Sequence, residues 1–321
     1  MQRLPVSSNR RCGVLASSSC AAPRLAPRPR AAARRAAAVA ARAAPQQTVL
    51  SGSCYEEIVE GLAARIIDAA VAQKPLGRKY IVGIAGAPGS GKSTLAALLR
   101  DRINRIAGGG SSSSASSGSS SRGVAAGGGR GAALGGVSAG GSGRAAAGEA
   151  PVAVVVPMDG FHLYKRQLDA MPDPEEAYAR RGAHWTFDAD AFVACVRRIR
   201  ESGAARVPSF DHGVGDPVDG DIAVDPATPI VIVEGNYLFL DLEPWRQLRA
   251  LLDEAVFVDV PLDTAMDRVY RRQVALGLAP DVSRRRIAGN DRPNGELVAA
   301  SAGAARVVVP SSVPLSGSES D

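Results

Sequence analysis

The chain has little of what staples or spans a protein. Among its 321 residues stand four cysteines, Cys12, Cys20, Cys54 and Cys195, and no two are spaced C-x-x-C. That spacing excludes a disulfide framework and a cysteine zinc site. The three histidines, at 162, 184 and 212, show no metal-ligand spacing either. No apolar run approaches the ~20 residues a membrane-spanning helix needs, so no membrane partner is expected. Residues 1–50 contain no Asp, Glu or Lys, and the first acid is Glu56. Residues 108–148 lack large apolar side chains almost entirely.

Each absence has a counterpart. The acid-free leader carries nine arginines among Ala, Ser and Pro. That is the composition of an organelle transit peptide, with a plain basic tail as the alternative. A secretory signal is excluded, because the leader has no continuous apolar core. The abundant Ala and Ser favour a chloroplast over a mitochondrion. The leader contributes +9 to a chain whose net charge is +6, which leaves residues 51–321 at −3. The basic balance of the whole chain is therefore no sign of a nucleic-acid partner. The 108–148 stretch of Gly, Ser and Ala cannot offset its own ordering entropy, so it is expected to be a disordered insertion. Because loop length costs little in closure entropy, it can interrupt a single domain at 51–309. Residues 310–321 read as a loose, disordered tail.

Within that domain, apolar residues at 58, 62, 66, 69 and 70 predict an amphipathic helix over 55–73. Continuous apolar runs at 80–85, 152–156, 230–233, 255–260 and 307–309 predict strands buried on both faces. Candidate helices lie at 93–106, 188–201, 243–253, 263–276 and 294–302. Alternation of such strands with helices indicates an α/β protein, a mostly parallel sheet with helices on both faces.

Between the 80–85 strand and the 93–106 helix stands Gly86-Ala87-Pro88-Gly89-Ser90-Gly91-Lys92-Ser93-Thr94. It matches G-x-x-x-x-G-K-[ST] at every fixed position, in the strand-to-helix context that gives the motif its meaning. Glycines let backbone N–H groups turn toward phosphate oxygens, and the helix N-terminus adds partial positive charge. Lys92 supplies a mobile cation for the β- and γ-phosphates. Ser93 offers a hard oxygen to Mg²⁺. Two acids close later strands: Asp159, after 152–156, and Glu234, after 230–233. In open α/β sheets ligands bind beyond the carboxyl ends of the strands, so both acids should face the phosphate loop. A cradle, a metal and a carboxylate that deprotonates a hydroxyl are the parts of phosphoryl transfer.

Seven segments in order carry a resemblance: GAPGSGKST (86–94), VPMDGFHL (156–163), RRGAHWTFDADAF (180–192), VPSFDHGVGDPVDG (207–220), IVIVEGNYLFLD (230–241), FVDVPLDTAMDRVYRRQ (257–273) and NDRPNGELV (290–298). Together they resemble the phosphoribulokinase/uridine kinase family of P-loop kinases, which includes bacterial-type pantothenate kinase, and within it a nucleoside-kinase-like branch. The resemblance implies the three-layer P-loop NTPase fold, ATP and Mg²⁺ as cofactors, and a small-molecule phosphate acceptor. Asp159 corresponds to the general base, with a touch on Mg²⁺. Glu234 corresponds to an acid near the metal, and Arg268 and Arg272 to lid arginines that close over the phosphates. His162, Arg181, His184, Trp185 and Tyr237 fall in stretches that line the acceptor site. Phe210, Asp211 and His212 echo a substrate-side segment, with Phe where uridine kinase has Tyr. Asn290, Asp291 and Asn294 resemble a segment near the adenine end. Trp185 departs from the pantothenate kinase pattern. A nucleoside, a sugar or a pantothenate-like alcohol all fit as acceptor. The rival reading is a P-loop regulatory or assembly protein that binds nucleotide without phosphorylating a metabolite. Oligomeric state is left open, a homodimer being one option.

Overall fold

β-Branched runs with no polar face can only be buried between two layers, and here they form the middle of a sandwich. The computed structural model describes residues 47–108, 151–211 and 213–312. The leader upstream of 47, the inserted stretch from 109, His212 and the tail from 313 lie outside the described residues. In chain order the strands are β1 (Thr48–Val49), β2 (Tyr80–Ala85), β3 (Ala153–Pro157), β4 (Ala205–Asp211), β5 (Asp216–Val224), β6 (Ile230–Glu234), β7 (Glu254–Asp259) and β8 (Val307–Pro310). The helices are α1 (Tyr55–Gln73), α2 (Lys92–Gly108), α3 (Lys165–Asp169), α4 (Pro174–Ala179), α5 (Ala189–Ser202), α6 (Leu262–Ala275), α7 (Pro280–Arg286) and α8 (Arg292–Ala299).

Six strands form one parallel sheet in the order β1-β8-β7-β2-β6-β3. Alternate side chains of β2 serve opposite faces. Val82 and Ile84 pack with Ile58, Leu62 and Ile66 of α1 and Leu95, Leu99 and Ile103 of α2. Ile81 and Ala85 join Phe192, Val196 and Ile199 of α5 and Trp245 on the other face. Each fully buried Leu or Ile contributes roughly 1.5–3 kcal/mol relative to exposure. Asp188 caps α5 by accepting from the Ala191 amide at 2.9 Å, and Gly203, at φ 72°, ends it.

Several expectations need correction. The 243–253 run, expected as an α-helix, holds only a 3₁₀ stretch, Trp245–Ala250. Its chain enters through Pro244, which has no N–H to donate, and leaves at once into β7. The 294–302 helix begins earlier, at Arg292, and follows α7 and a π-helical turn, Ile287–Asp291. The segment 207–220 belongs to an antiparallel hairpin, β4–β5, outside the main sheet. The domain also reaches past both expected ends. Thr48 and Val49 pair with Val307 and Val308, and Ser311 donates its amide to Asp259 at 2.8 Å.

Candidate active site

The turn leaving β2 is held in a shape that side chains oppose. Gly89 and Gly91 sit at φ 80° and 93°, where glycine carries no Cβ penalty. At Gly89 a Cβ would also lie 2.2 Å from the Ala265 carbonyl of α6. The loop is thus clamped between the start of α2 and the side of α6. Positive φ beside a helix N-terminus makes the concave nest of amides that suits phosphate oxygens. The residues present therefore fit a polyphosphate.

Sheet register delivers the acids. Glu234 lies level with Ile84 of β2 on one side and Pro157 of β3 on the other. Ser93 Oγ donates to Glu234 Oε2 at 3.1 Å. Glu234 is only 6% exposed. Burial pushes its carboxyl up to about 7, and the Asp159 charge pushes the same way, while Lys92 and the Ser93 hydrogen bond pull it down. Lys92 and Asp159 thus both act on one buried carboxyl, and the expected four residues meet at three adjacent strand ends. Asp159 opens a 3₁₀ turn, Met158–Phe161, directly after β3. At Gly160 a Cβ would be 1.9 Å from the Pro208 carbonyl. Only glycine lets the β4–β5 hairpin lie against that turn. Ser93, Glu234 and Asp159 offer hard oxygens to a divalent cation. A carboxyl whose pKa burial raises is a group whose charge such a cation would stabilise.

On the acceptor side, His162 Nδ1 lies 2.8 Å from the Asp159 carbonyl. A carbonyl only accepts, so Nδ1 carries the proton. The imidazole packs, tilted, against Phe187 at 4.0 Å and Phe210 at 4.5 Å, centroid to centroid. The Arg181 guanidinium lies 5.6 Å from the Phe210 ring centre and donates to the Leu163 carbonyl at 2.9 Å. Its Nη2 is 3.5 Å from the Asp216 carboxylate. Asp159, His162, Phe210 and Arg181 are therefore contiguous. His184 is half-buried, and burial with the nearby Arg180 charge lowers its pKa. Trp185 beside it is exposed.

Tyr237 is fully buried, its hydroxyl donates to the Gly182 carbonyl at 2.6 Å, and its ring packs on Phe187 and Trp245. It thereby supports the 180–186 loop. Of the residues expected near the adenine end, Asn290 donates to the Arg181 carbonyl at 2.9 Å, and Asn294 donates to Asn290. They lie on the acceptor-loop side.

The two lid arginines part company. Arg268 donates to the Ser311 hydroxyl at 2.9 Å and to the Ser311 carbonyl at 2.7 Å. That hydroxyl lies 3.3 Å from where a Cβ on Gly91 would sit, so Arg268 stands beside the phosphate loop. Arg272 is exposed, and its charge acts on Asp291, whose pKa burial raises. Arg271 pairs with Asp267 on the surface, a solvated basic face. Two residues carried no sequence signal of their own. Ser311 lies in what reads as tail. Asn236 has a buried Oδ1 with no partner among the described residues, and only its place in the Glu234 segment drew notice.

A parallel sheet wrapped in helices, with this loop and these acids at its carboxyl edge, defines a P-loop kinase architecture. Similar proteins agree. The chain is 46% identical over 131 residues to the "ATP-dependent kinase-like protein notR'" of Aspergillus versicolor, covering 39% of this chain and 76% of that protein. It is 35% identical over 203 residues to the "Putative uridine kinase C227.14" of Schizosaccharomyces pombe, covering 63% of this chain and 69% of that protein. Among solved structures, a "putative fructose transport system kinase" from Silicibacter sp. TM1040 superposes with a TM-score of 0.56 at 28% identity, over 77% of this chain and 98% of that one. No family model matches the chain. The chain belongs to the phosphoribulokinase/uridine kinase family of P-loop kinases.

Proposed function

We propose that this protein transfers the γ-phosphoryl group of ATP, in the presence of Mg²⁺, to a hydroxyl of a small metabolite. The observation that carries this reading is the meeting of Lys92, Ser93, Glu234 and Asp159 at three neighbouring strand ends, with Lys92 and Asp159 both acting on the Glu234 carboxyl. The phosphate loop holds the polyphosphate, and Lys92 neutralises charge on the β- and γ-oxygens. Ser93 and Glu234, with Asp159 nearby, would hold Mg²⁺. When bound, the ion supplies further neutralisation of phosphate charge. Asp159 accepts the proton of the acceptor hydroxyl as its oxygen bonds to the γ-phosphorus. The bond from that phosphorus to the bridging oxygen breaks, and ADP leaves. His162, fixed by the Asp159 carbonyl and two phenyl rings, orients the acceptor beside that carboxylate. Arg181 closes the far wall. Arg268 completes the positive surround of the phosphates. Acceptors that fit are polyhydroxylated or nucleoside-like alcohols. We further propose that the arginine-rich leader upstream of residue 47 directs the protein to an organelle, a chloroplast by composition.

The test is to incubate the protein with ATP, Mg²⁺ and a plastid or bacterial metabolite extract and to search for masses raised by one phosphate. Asp159→Asn should lose about 10²–10⁴-fold in turnover while still binding nucleotide. Unchanged turnover in Asp159→Asn removes that residue from the proton transfer. A response only to a protein partner, with no new phosphorylated mass, favours the regulatory reading.

A further inference from the structure

The turn between α7 and α8 is joined to the acceptor loop through a buried side chain, Asn290. Asn290 is 2% exposed. Its amide nitrogen donates to the Arg181 carbonyl at 2.9 Å. Its carbonyl oxygen accepts from Asn294 Nδ2 at 2.9 Å and from Arg180 Nε at 3.3 Å. Both ends of this amide are therefore used, and three of its bonded atoms lie in Arg180, Arg181 and Asn294. Asn290 stands in the π-helical turn Ile287–Asp291, which joins α7 to α8. A π turn adds a residue to the helical circuit and turns a side chain that regular winding would aim elsewhere.

The link continues past Asn294. At the next residue, Gly295, a Cβ would lie 2.7 Å from Leu262 Cδ1 and 3.7 Å from Ala87 Cβ. Ala87 belongs to the phosphate loop. The path from acceptor wall to phosphate loop is thus Arg181 carbonyl, Asn290, Asn294, Gly295, Ala87. Other fastenings of the 180–186 loop come from elsewhere: the Tyr237 hydroxyl on the Gly182 carbonyl, the Leu163 carbonyl and Asp216 on Arg181, and the Glu176 carbonyl on the Arg180 amide. They do not touch α8.

The geometry points to Asn290 as a positioning residue that couples occupancy of the phosphate loop to the order of the acceptor loop carrying Arg181. The inference rests on the kinase reading above. Nucleotide seated against Ala87 steadies α8, and Asn290 passes that order to residues 180–186, so the acceptor wall is set only when the phosphoryl donor is in place. A buried amide bonded at both its nitrogen and its oxygen can carry such coupling, because losing one bond leaves its partner unpaired.

Hydrogen–deuterium exchange of the full chain with and without Mg·AMP-PNP tests this. In the wild type, exchange should slow at 86–94 and also at 180–186. Asn290→Asp keeps the shape and the bonds accepted from Arg180 and Asn294, but loses the donor to Arg181. It should preserve the slowing at 86–94 and lose about tenfold of the protection at 180–186, the scale of one such bond. Equal protection of 180–186 in the variant, or none there in the wild type, overturns the coupling. A uniform loosening of the whole chain, nucleotide present or absent, marks a merely structural role and also overturns it. No slowing at 86–94 in the wild type overturns the kinase reading itself, and the two failures appear in different peptides. Should Asn290→Asp not fold, Arg180→Gln removes one donor from the half-buried rim of the network and should show the same selective loss at 180–186.

Discussion

The phosphate side and the acceptor side of the site are built differently. Phosphate recognition rests on backbone: a nonapeptide whose glycines take left-handed φ and whose fit against α6 forbids a Cβ. The candidate acceptor side is made of side chains drawn from distant places: His162 after β3, Arg181 before α5 and Phe210 on a hairpin, with Asn290 of a π turn bonded to the Arg181 carbonyl. Backbone machinery is local and tolerates little change. Side-chain machinery is assembled across the fold, so its members can be exchanged while the scaffold stays. One architecture can therefore keep its donor and vary its acceptor.

The comparison breaks most sharply at Lys92. Lys92→Ala should cost at least about a thousandfold in turnover, the scale of losing a preorganised charge at the transferring group. Steady-state kinetics on the acceptor found in the extract would measure it, and a loss under tenfold would mean that the loop binds without catalysing. Next in size comes Glu234. Its folded pKa, about 7, stands above the ordinary 4.5. Between those values the folded chain binds more protons than the unfolded one. The carboxyl's contribution to stability is therefore full below about 4.5 and lost as pH rises through about 7. Glu234→Gln should raise the melting temperature by roughly 4 °C at pH 8 and by much less at pH 5. Mg²⁺ binding by the wild type should tighten from pH 6 to 8, and that pH dependence should vanish in the variant. Scanning calorimetry at pH 5 and 8 reads the first, and titration calorimetry at pH 6 and 8 the second. The smallest effect belongs to Tyr237→Phe. It removes one hydrogen bond to the Gly182 carbonyl and should cost about 1 kcal/mol of stability, with the acceptor KM changed less than about twofold. A tenfold rise in KM would place that hydroxyl against the acceptor after all.

Sequence reading reached the backbone side almost whole. The strand, the loop and the helix are contiguous, so spacing alone carries their geometry. Asp159 and Glu234 were readable for a related reason: each ends an apolar run, and parallel strands put their carboxyl ends on one edge. What resisted was whatever depends on long-range contact. Tyr237, three residues after Glu234, reads as a site residue but is consumed by the Gly182 carbonyl, 55 positions away. Ser311 reads as tail, yet its hydroxyl and carbonyl hold Arg268, 43 positions back. The hairpin at 205–224 alternates poorly, because much of it is only half-buried and its register shifts between Val207 and Ser209. The π turn has no pattern of its own, since one extra residue in a helical run leaves the apolar period nearly unchanged.

β1 contributes only two residues, yet it shields the outer side of β8. Shortening the chain from its N-terminus beyond Val49 would bare Val307 and Val308 as an open sheet margin with unpaired amides and carbonyls. Such a trimmed protein would be a poor citizen of any crowded compartment, prone to recruit a second chain to the vacant rim. It would also loosen the run that leads to Ser311, so damage at one border of the sheet would be felt by a guanidinium beside the phosphate loop.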